Sequence, residues 1–138
     1  MLPPIFILGG YGMGDLTKNF SKSEFVCKHC GWGDPDPMLV QTLQIIRDAV
    51  NATVTVISGC RCEEHNRAVG GVSDSQHLVC KAADISVNGW TAAYLLKLIQ
   101  ALVRLNVIYI GYAYKITNNS IHVDVREPVS ETVRKWRA

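Results

Sequence analysis

Two histidines and two aspartates stand where they can act together. In residues 82–87 (Ala-Ala-Asp-Ile-Ser-Val), strand periodicity puts Ala83, Ile85 and Val87 on one face and Asp84 with Ser86 on the other. Residues 121–125 (Ile-His-Val-Asp-Val) repeat the pattern, so His122 and Asp124 share the face opposite the apolar residues. His77 precedes Asp84 in a polar loop. The plain reading of such residues is hydrogen bonding at a strand surface. A His-Asp-His set also has the chemistry of a catalytic zinc site, in which neutral imidazoles and an ionised carboxylate leave the fourth position to water. That water becomes a nucleophile near neutral pH if a base stands beside it. Asp124, on the face of His122, is the expected base, and its rival role is to orient a ligand histidine. No H-E-x-x-H occurs, so a thermolysin-type zinc site is absent.

The five cysteines, Cys27, Cys30, Cys60, Cys62 and Cys80, keep other chemistry open. An odd number cannot all pair within one chain. Cys27-x-x-Cys30 together with Cys60-x-Cys62 makes a possible four-thiolate zinc site, although C-x-C is tighter than the usual knuckle. A disulfide between two loops is a second reading, and unpaired, partly buried thiols are the slightly favoured third. A thioredoxin-like role fails because no βαβ pattern surrounds Cys27 and Cys30.

These side chains need a packed scaffold, and the composition provides one. With 48% hydrophobic and 19% charged residues, the chain is too apolar for a disordered protein. Its 138 residues suit one domain. A formal net charge of +2 is too small for a nucleic-acid footprint. No apolar run reaches the eighteen or so residues that cross a bilayer. Residues 1–14 include a short apolar run but lack the basic start and cleavage pattern of a signal peptide. The expectation is a chain made in the cytoplasm and not inserted in a membrane.

Ser21 and Glu24 form a capping box flanked by Phe20 and Phe25, which predicts a short helix. Asp36 and Pro37 start a second, with Leu39, Leu43, Ile46 and Val50 as its buried stripe. Residues 53–57 read as a strand, 60–69 as a short polar helix closed by Gly70 and Gly71, and 82–87 as another strand. Residues 90–105 read as a helix capped by Thr91, with Leu95, Ile99 and Leu102 inward. Residues 107–114 and 120–125 suggest a hairpin around Thr117, Asn118 and Asn119, and 127–138 a loosely packed terminal helix. The order of elements is that of one α+β domain.

The stretch from Ser58-Gly59-Cys60-Arg61 to His65-Asn66, followed by Ser75-Gln76-His77 and Ala82-Ala83-Asp84, resembles a known signature. It is similar to S-G-x-R-x-x-x-H-N … S-x-H-x-x-x-x-A-x-D of the zinc D-Ala-D-Ala carboxypeptidase family, especially its small single-domain phage and bacterial peptidases. Phe20 to Phe25 and Ile121 to Arg126 match that subgroup as well. The resemblance spans residues 16–126, which leaves 1–15 as an N-terminal extension and 127–138 as a C-terminal tail. It implies a small antiparallel sheet with helices packed on one side and zinc on the open face. It implies one catalytic Zn2+ held by His77, Asp84 and His122. Arg61 matches a residue that contacts substrate and stabilises transition-state charge, and Ser75 a substrate-contacting position. A guanidinium at Arg61 suits a peptide's terminal carboxylate or a tetrahedral oxyanion. Many members carry an acidic base three residues before the last histidine. Asn119 stands there in this chain, so Asp124 remains the nearest carboxylate, with Glu63, Glu64 and His65 as fallbacks.

The implied function is a zinc metallopeptidase acting on peptidoglycan stem peptides, with release of the terminal D-Ala as the activity of closest resemblance. An endopeptidase of the phage-lysin type is the alternative within that chemistry. A non-catalytic zinc module, as in the hedgehog signalling domains that share the fold, and a wall-binding domain without hydrolysis are the alternatives outside it. The expected partner is the stem peptide, met by a monomer at the cell wall after release through phage lysis or non-classical export.

Overall fold

The computed structural model describes residues 14–128 and 136–137. The capping box yields only a 3-10 turn, Lys22–Glu24, in which the Glu24 carboxylate accepts the Ser21 N–H at 2.8 Å. Phe20 and Phe25 are buried with ring centroids 5.9 Å apart. Helix α1, Pro37–Val50, starts where Asp36 accepts the Met38 N–H at 2.8 Å. Its expected stripe of Leu39, Leu43, Ile46 and Val50 is buried. Strand β1 is Val54–Ser58, and the short helix α2 is Glu63–Ala68. A 3-10 turn, Gln76–Val79, carries His77, and strand β2 is Ala82–Val87. Helix α3, Ala92–Arg104, is capped by the Thr91 hydroxyl, which accepts the Tyr94 N–H at 3.3 Å. Strands β3, Tyr112–Thr117, and β4, Ser120–Asp124, form the hairpin, and β5, Trp136–Arg137, ends the sheet.

The sheet order is β1-β2-β4-β3-β5. The first four strands pair antiparallel, and β5 runs parallel to β3 through Ala113↔Trp136. Ala83, Ile85, Ile121 and Val123 join Leu43 and Ile46 of α1 and Leu95 and Ile99 of α3 in one core. This is the expected α+β arrangement, with helices on one side of a small antiparallel sheet. The opposite face carries Asp84, His122 and Asp124. Among the described residues, no helix is long and apolar enough to cross a membrane.

Two expectations change. The first hairpin strand begins at Tyr112 rather than 107 and continues to Thr117. Ile108 and Ile110 are buried all the same. Beyond the end of β4, Arg126 replaces a ladder partner: the Tyr109 hydroxyl donates to its carbonyl at 2.6 Å. The second change is in the tail. Where a terminal helix was expected, Trp136–Arg137 pair with the outer edge of β3, whose backbone groups otherwise lack a strand partner. The rest of 129–138, and most of the N-terminal extension at 1–13, lie outside the described residues.

The core predicts its own sensitivity. Leu43 is 0% exposed and Met38, on the same helix, 50%. Leu43→Ala is expected to cost about 2–5 kcal/mol in denaturant unfolding. Met38→Ala is expected to cost less than about 0.5 kcal/mol. Equal losses would contradict this assignment of the buried face.

Candidate metal centre

Antiparallel pairing of β2 with β4 puts Asp84 directly opposite His122. The period of two turns both side chains away from the core that Ala83 and Val123 enter. His77 arrives from outside the sheet. Ser75 caps its 3-10 turn by accepting the His77 N–H at 3.2 Å, and the His77 carbonyl accepts the Arg61 N–H at 2.9 Å. A disulfide between Cys60 and Cys80 ties the two ends of this strap. One nitrogen of each histidine and a carboxylate oxygen of Asp84 lie within 4.8 Å of one another.

The partners of the other nitrogens decide the protonation of the rings. His77 Nδ1 lies 2.6 Å from the Gly59 carbonyl oxygen, which only accepts, so Nδ1 carries the proton. His122 Nε2 lies 2.8 Å from Asp124 Oδ2, also an acceptor, so Nε2 carries the proton there. Each neutral ring therefore aims a lone pair at Asp84 Oδ1, from His77 Nε2 at 3.2 Å and His122 Nδ1 at 3.0 Å. Three electron-rich atoms converge, and only extra protons or a cation can hold them together. Two imidazoles and a carboxylate, each oriented from behind, form a donor set that fits zinc.

The charges follow from these contacts. When extra protons rather than a cation fill the centre, burial still opposes ionisation of Asp84, but hydrogen bonds from the His122 and His77 rings and their charges hold its carboxyl well below the usual range. Burial also opposes charge on His122, and the hydrogen bonds of Asp124 and Asp84 outweigh it, raising the imidazole pKa. Asp124 is lowered, as its hydrogen bonds with His122 and Arg126 overcome burial.

Asp124 itself is fully buried behind the His122 ring. Its Oδ1 accepts from Arg126 Nε at 2.9 Å, and its Oδ2 from Arg126 Nη2 at 2.6 Å as well as from His122. Arg61 stands on the other side of the centre. Its Nη2 donates to Asp84 Oδ2 at 3.0 Å, Nε to Ser58 Oγ at 3.0 Å, and Nη1 to Asn66 Oδ1 at 3.3 Å. Arg61 also lines a cavity of about 600 Å³ with Trp32, Glu63, Leu78 and Val79. Of the fallback carboxylates, Glu63 borders this cavity, whereas Glu64 is turned towards His29 at 3.7 Å. Asn119, where the resemblance led to the expectation of an acid, is exposed at the hairpin turn.

Three neighbours escaped the sequence reading. Tyr114 pairs with His122 across β3 and β4 and stacks on its ring at 4.7 Å. Asn66 is the buried acceptor that helps aim Arg61. Arg126 grips Asp124. The hairpin register would have revealed Tyr114, and the spacing of His122, Asp124 and Arg126 along one strand face held the signal for the last.

Fold and centre together set three oriented donors beside an arginine-bordered cavity. The sequence matches the family described as Peptidase M15 over residues 15–124, and the chain belongs to that family. It is accordingly a metallopeptidase by family, and His77, Asp84 and His122 form its candidate metal site. Comparison with curated proteins gives no match.

The shifts at Asp84, His122 and Asp124 predict how the stability of the metal-free protein varies with pH. Asp84 and Asp124, lowered from 3.8, contribute stability above that pH and lose it as the pH falls towards their depressed values. His122, raised from 6.5, contributes fully below 6.5 and loses its contribution as the pH rises through its raised value. The melting temperature of chelator-treated protein should therefore peak between 3.8 and 6.5. Excess metal should lift the alkaline side, because it takes the place of the proton on His122. A metal-free melting temperature that keeps climbing from pH 6.5 to 8 contradicts this account.

Proposed function

We propose that this protein is a zinc-dependent peptidase of peptidoglycan stem peptides, and that it removes the terminal D-Ala as a D-Ala-D-Ala carboxypeptidase. The observation that carries the reading is the convergence of the His77 and His122 lone pairs on Asp84, beside the guanidinium of Arg61. Zinc bound there supplies Lewis acidity towards a peptide carbonyl and acidifies water. The chain's own residues do the rest. Each guanidinium nitrogen of Arg61 makes one internal hydrogen bond, leaving the second hydrogens of Nη1 and Nη2 for a substrate carboxylate or oxyanion. Trp32, Leu78 and Val79 offer apolar surface to the adjoining peptide. Ser75 adds a hydroxyl that holds the His77 turn and touches substrate. Tyr114 covers one face of His122 and limits access of bulk water to it.

Asp124 has two roles to choose between, proton acceptor and orienting carboxylate. Its burial and its bonds to His122 and Arg126 support the second, in which it acts through His122 as a positioning residue. Glu63, exposed at the cavity beside Arg61, is then the carboxylate that exchanges protons with substrate. The engagement of Asp124 is also the one observation favouring a non-catalytic zinc module.

The assay is hydrolysis of a stem pentapeptide by zinc-loaded protein, with products identified by mass. Wild type should release D-Ala, and His77→Ala should lose both activity and the zinc of this centre. Cleavage of an internal stem bond would reassign the protein as an endopeptidase. No cleavage at all would leave the binding-module reading standing. For Asp124→Asn, the expected result is metal affinity weakened by about 10–100-fold, with activity largely restored by excess zinc. Full metal occupancy with no activity would instead make Asp124 the base.

A further inference from the structure

A second group of donors lies outside the metal centre. The sulfur atoms of Cys27, Cys30 and Cys62 fall within 4.8 Å of one another. The four-thiolate set of the sequence reading is not formed, because Cys60 is bonded to Cys80. Three free thiols remain, and they come from two separated segments. Cys27 and Cys30 sit on a tight turn in which the Gly31 N–H donates to the Cys27 carbonyl at 2.8 Å and Gly31 adopts φ 76. Cys62 is the N-cap of α2, and its sulfur accepts the His65 N–H at 3.4 Å.

Backbone N–H groups point at two of these sulfurs. The Cys62 N–H lies 3.5 Å from the Cys27 sulfur. Three free sulfurs this close together, with Cys27 buried, form a donor set that a shared cation would hold. His29 Nδ1 lies 3.7 Å from the Cys62 sulfur. His29 reaches Cys62 but does not fall within 4.8 Å of all three sulfurs, so a turn of its side chain would complete the four donors.

We propose that Cys27, Cys30 and Cys62, with His29 as fourth ligand, hold a second zinc ion whose role is structural. Each thiol releases its proton to solvent as it binds, and the imidazole binds neutral. The ion clamps the turn before Trp32 to the start of α2. Cys30, Trp32, Arg61 and Cys62 border one cavity, so the clamp fixes the apolar wall against the guanidinium. The site stands apart from His77, Asp84 and His122 and is tested without reference to peptidase activity.

The test is zinc content and cobalt spectroscopy of the full chain. Wild type should carry two zinc ions per chain, and both Cys30→Ser and the double variant His77→Ala/His122→Ala should carry one. Cys30 is exposed, so its substitution spares the core. Cobalt-loaded wild type should show thiolate-to-cobalt charge-transfer absorption, kept in the double variant and lost in Cys30→Ser. His29→Ala should retain the absorption and release metal to chelator at least tenfold faster. Zinc loading should also protect the three thiols from an aromatic disulfide reagent. One zinc per wild-type chain with all three thiols reactive, or a disulfide among them, overturns the proposal. An unchanged release rate in His29→Ala removes His29 from the ligand set.

Discussion

Asp84 and His122 meet across the β2–β4 ladder, and the remainder of the centre is arranged around that pair. Their neighbours in the same strands, Ala83 and Val123, are 0% exposed on the other face. A slip of one residue in either strand would drive a charged or polar side chain into the core and an apolar one out of it. The hydrophobic effect that seats α1 and α3 on the sheet therefore also sets the register of the metal donors. Core and site are two faces of one constraint.

Around this pair, orientation is imposed from behind. The Gly59 carbonyl and the Asp124 carboxylate each take a proton from the far side of a histidine ring and leave the near nitrogen as a lone pair. Arg61 holds the second oxygen of Asp84 and shares that carboxylate's charge with the site. The close approach at Gly59 depends on the missing side chain, since a Cβ there would lie 2.5 Å from the Phe25 carbonyl oxygen. Hydrogen bonds to acceptor-only partners thus select a tautomer, and the tautomer turns a lone pair of each ring towards Asp84, as a metal site would need.

Much of this is legible in the sequence alone. The period of two in residues 82–87 and 121–125 separated the residues of the apolar core from those of the opposite face, because each strand has one apolar and one polar face. The caps at Asp36 and Thr91 marked helix starts through local hydrogen bonds that need no tertiary partner. The pairing of Cys60 with Cys80 was not legible, since spacing does not say which loops fold together. Nor was the edge strand at Trp136–Arg137, where a charged tail reads as a helix until β3 offers it a ladder. Tyr114 was missed for a related reason: its partner lies across a hairpin whose register depends on the turn.

By itself, the sequence determined the fold class, the inward residues of each element and the residue types able to bind a metal. These properties are local or periodic, and side-chain chemistry with backbone geometry dictates them one element at a time. The tertiary structure decided which nitrogens face Asp84, that Asp124 lies behind His122, and that Cys27, Cys30 and Cys62 converge. Those outcomes depend on distances between segments remote in the chain, and such distances exist only once the core has packed.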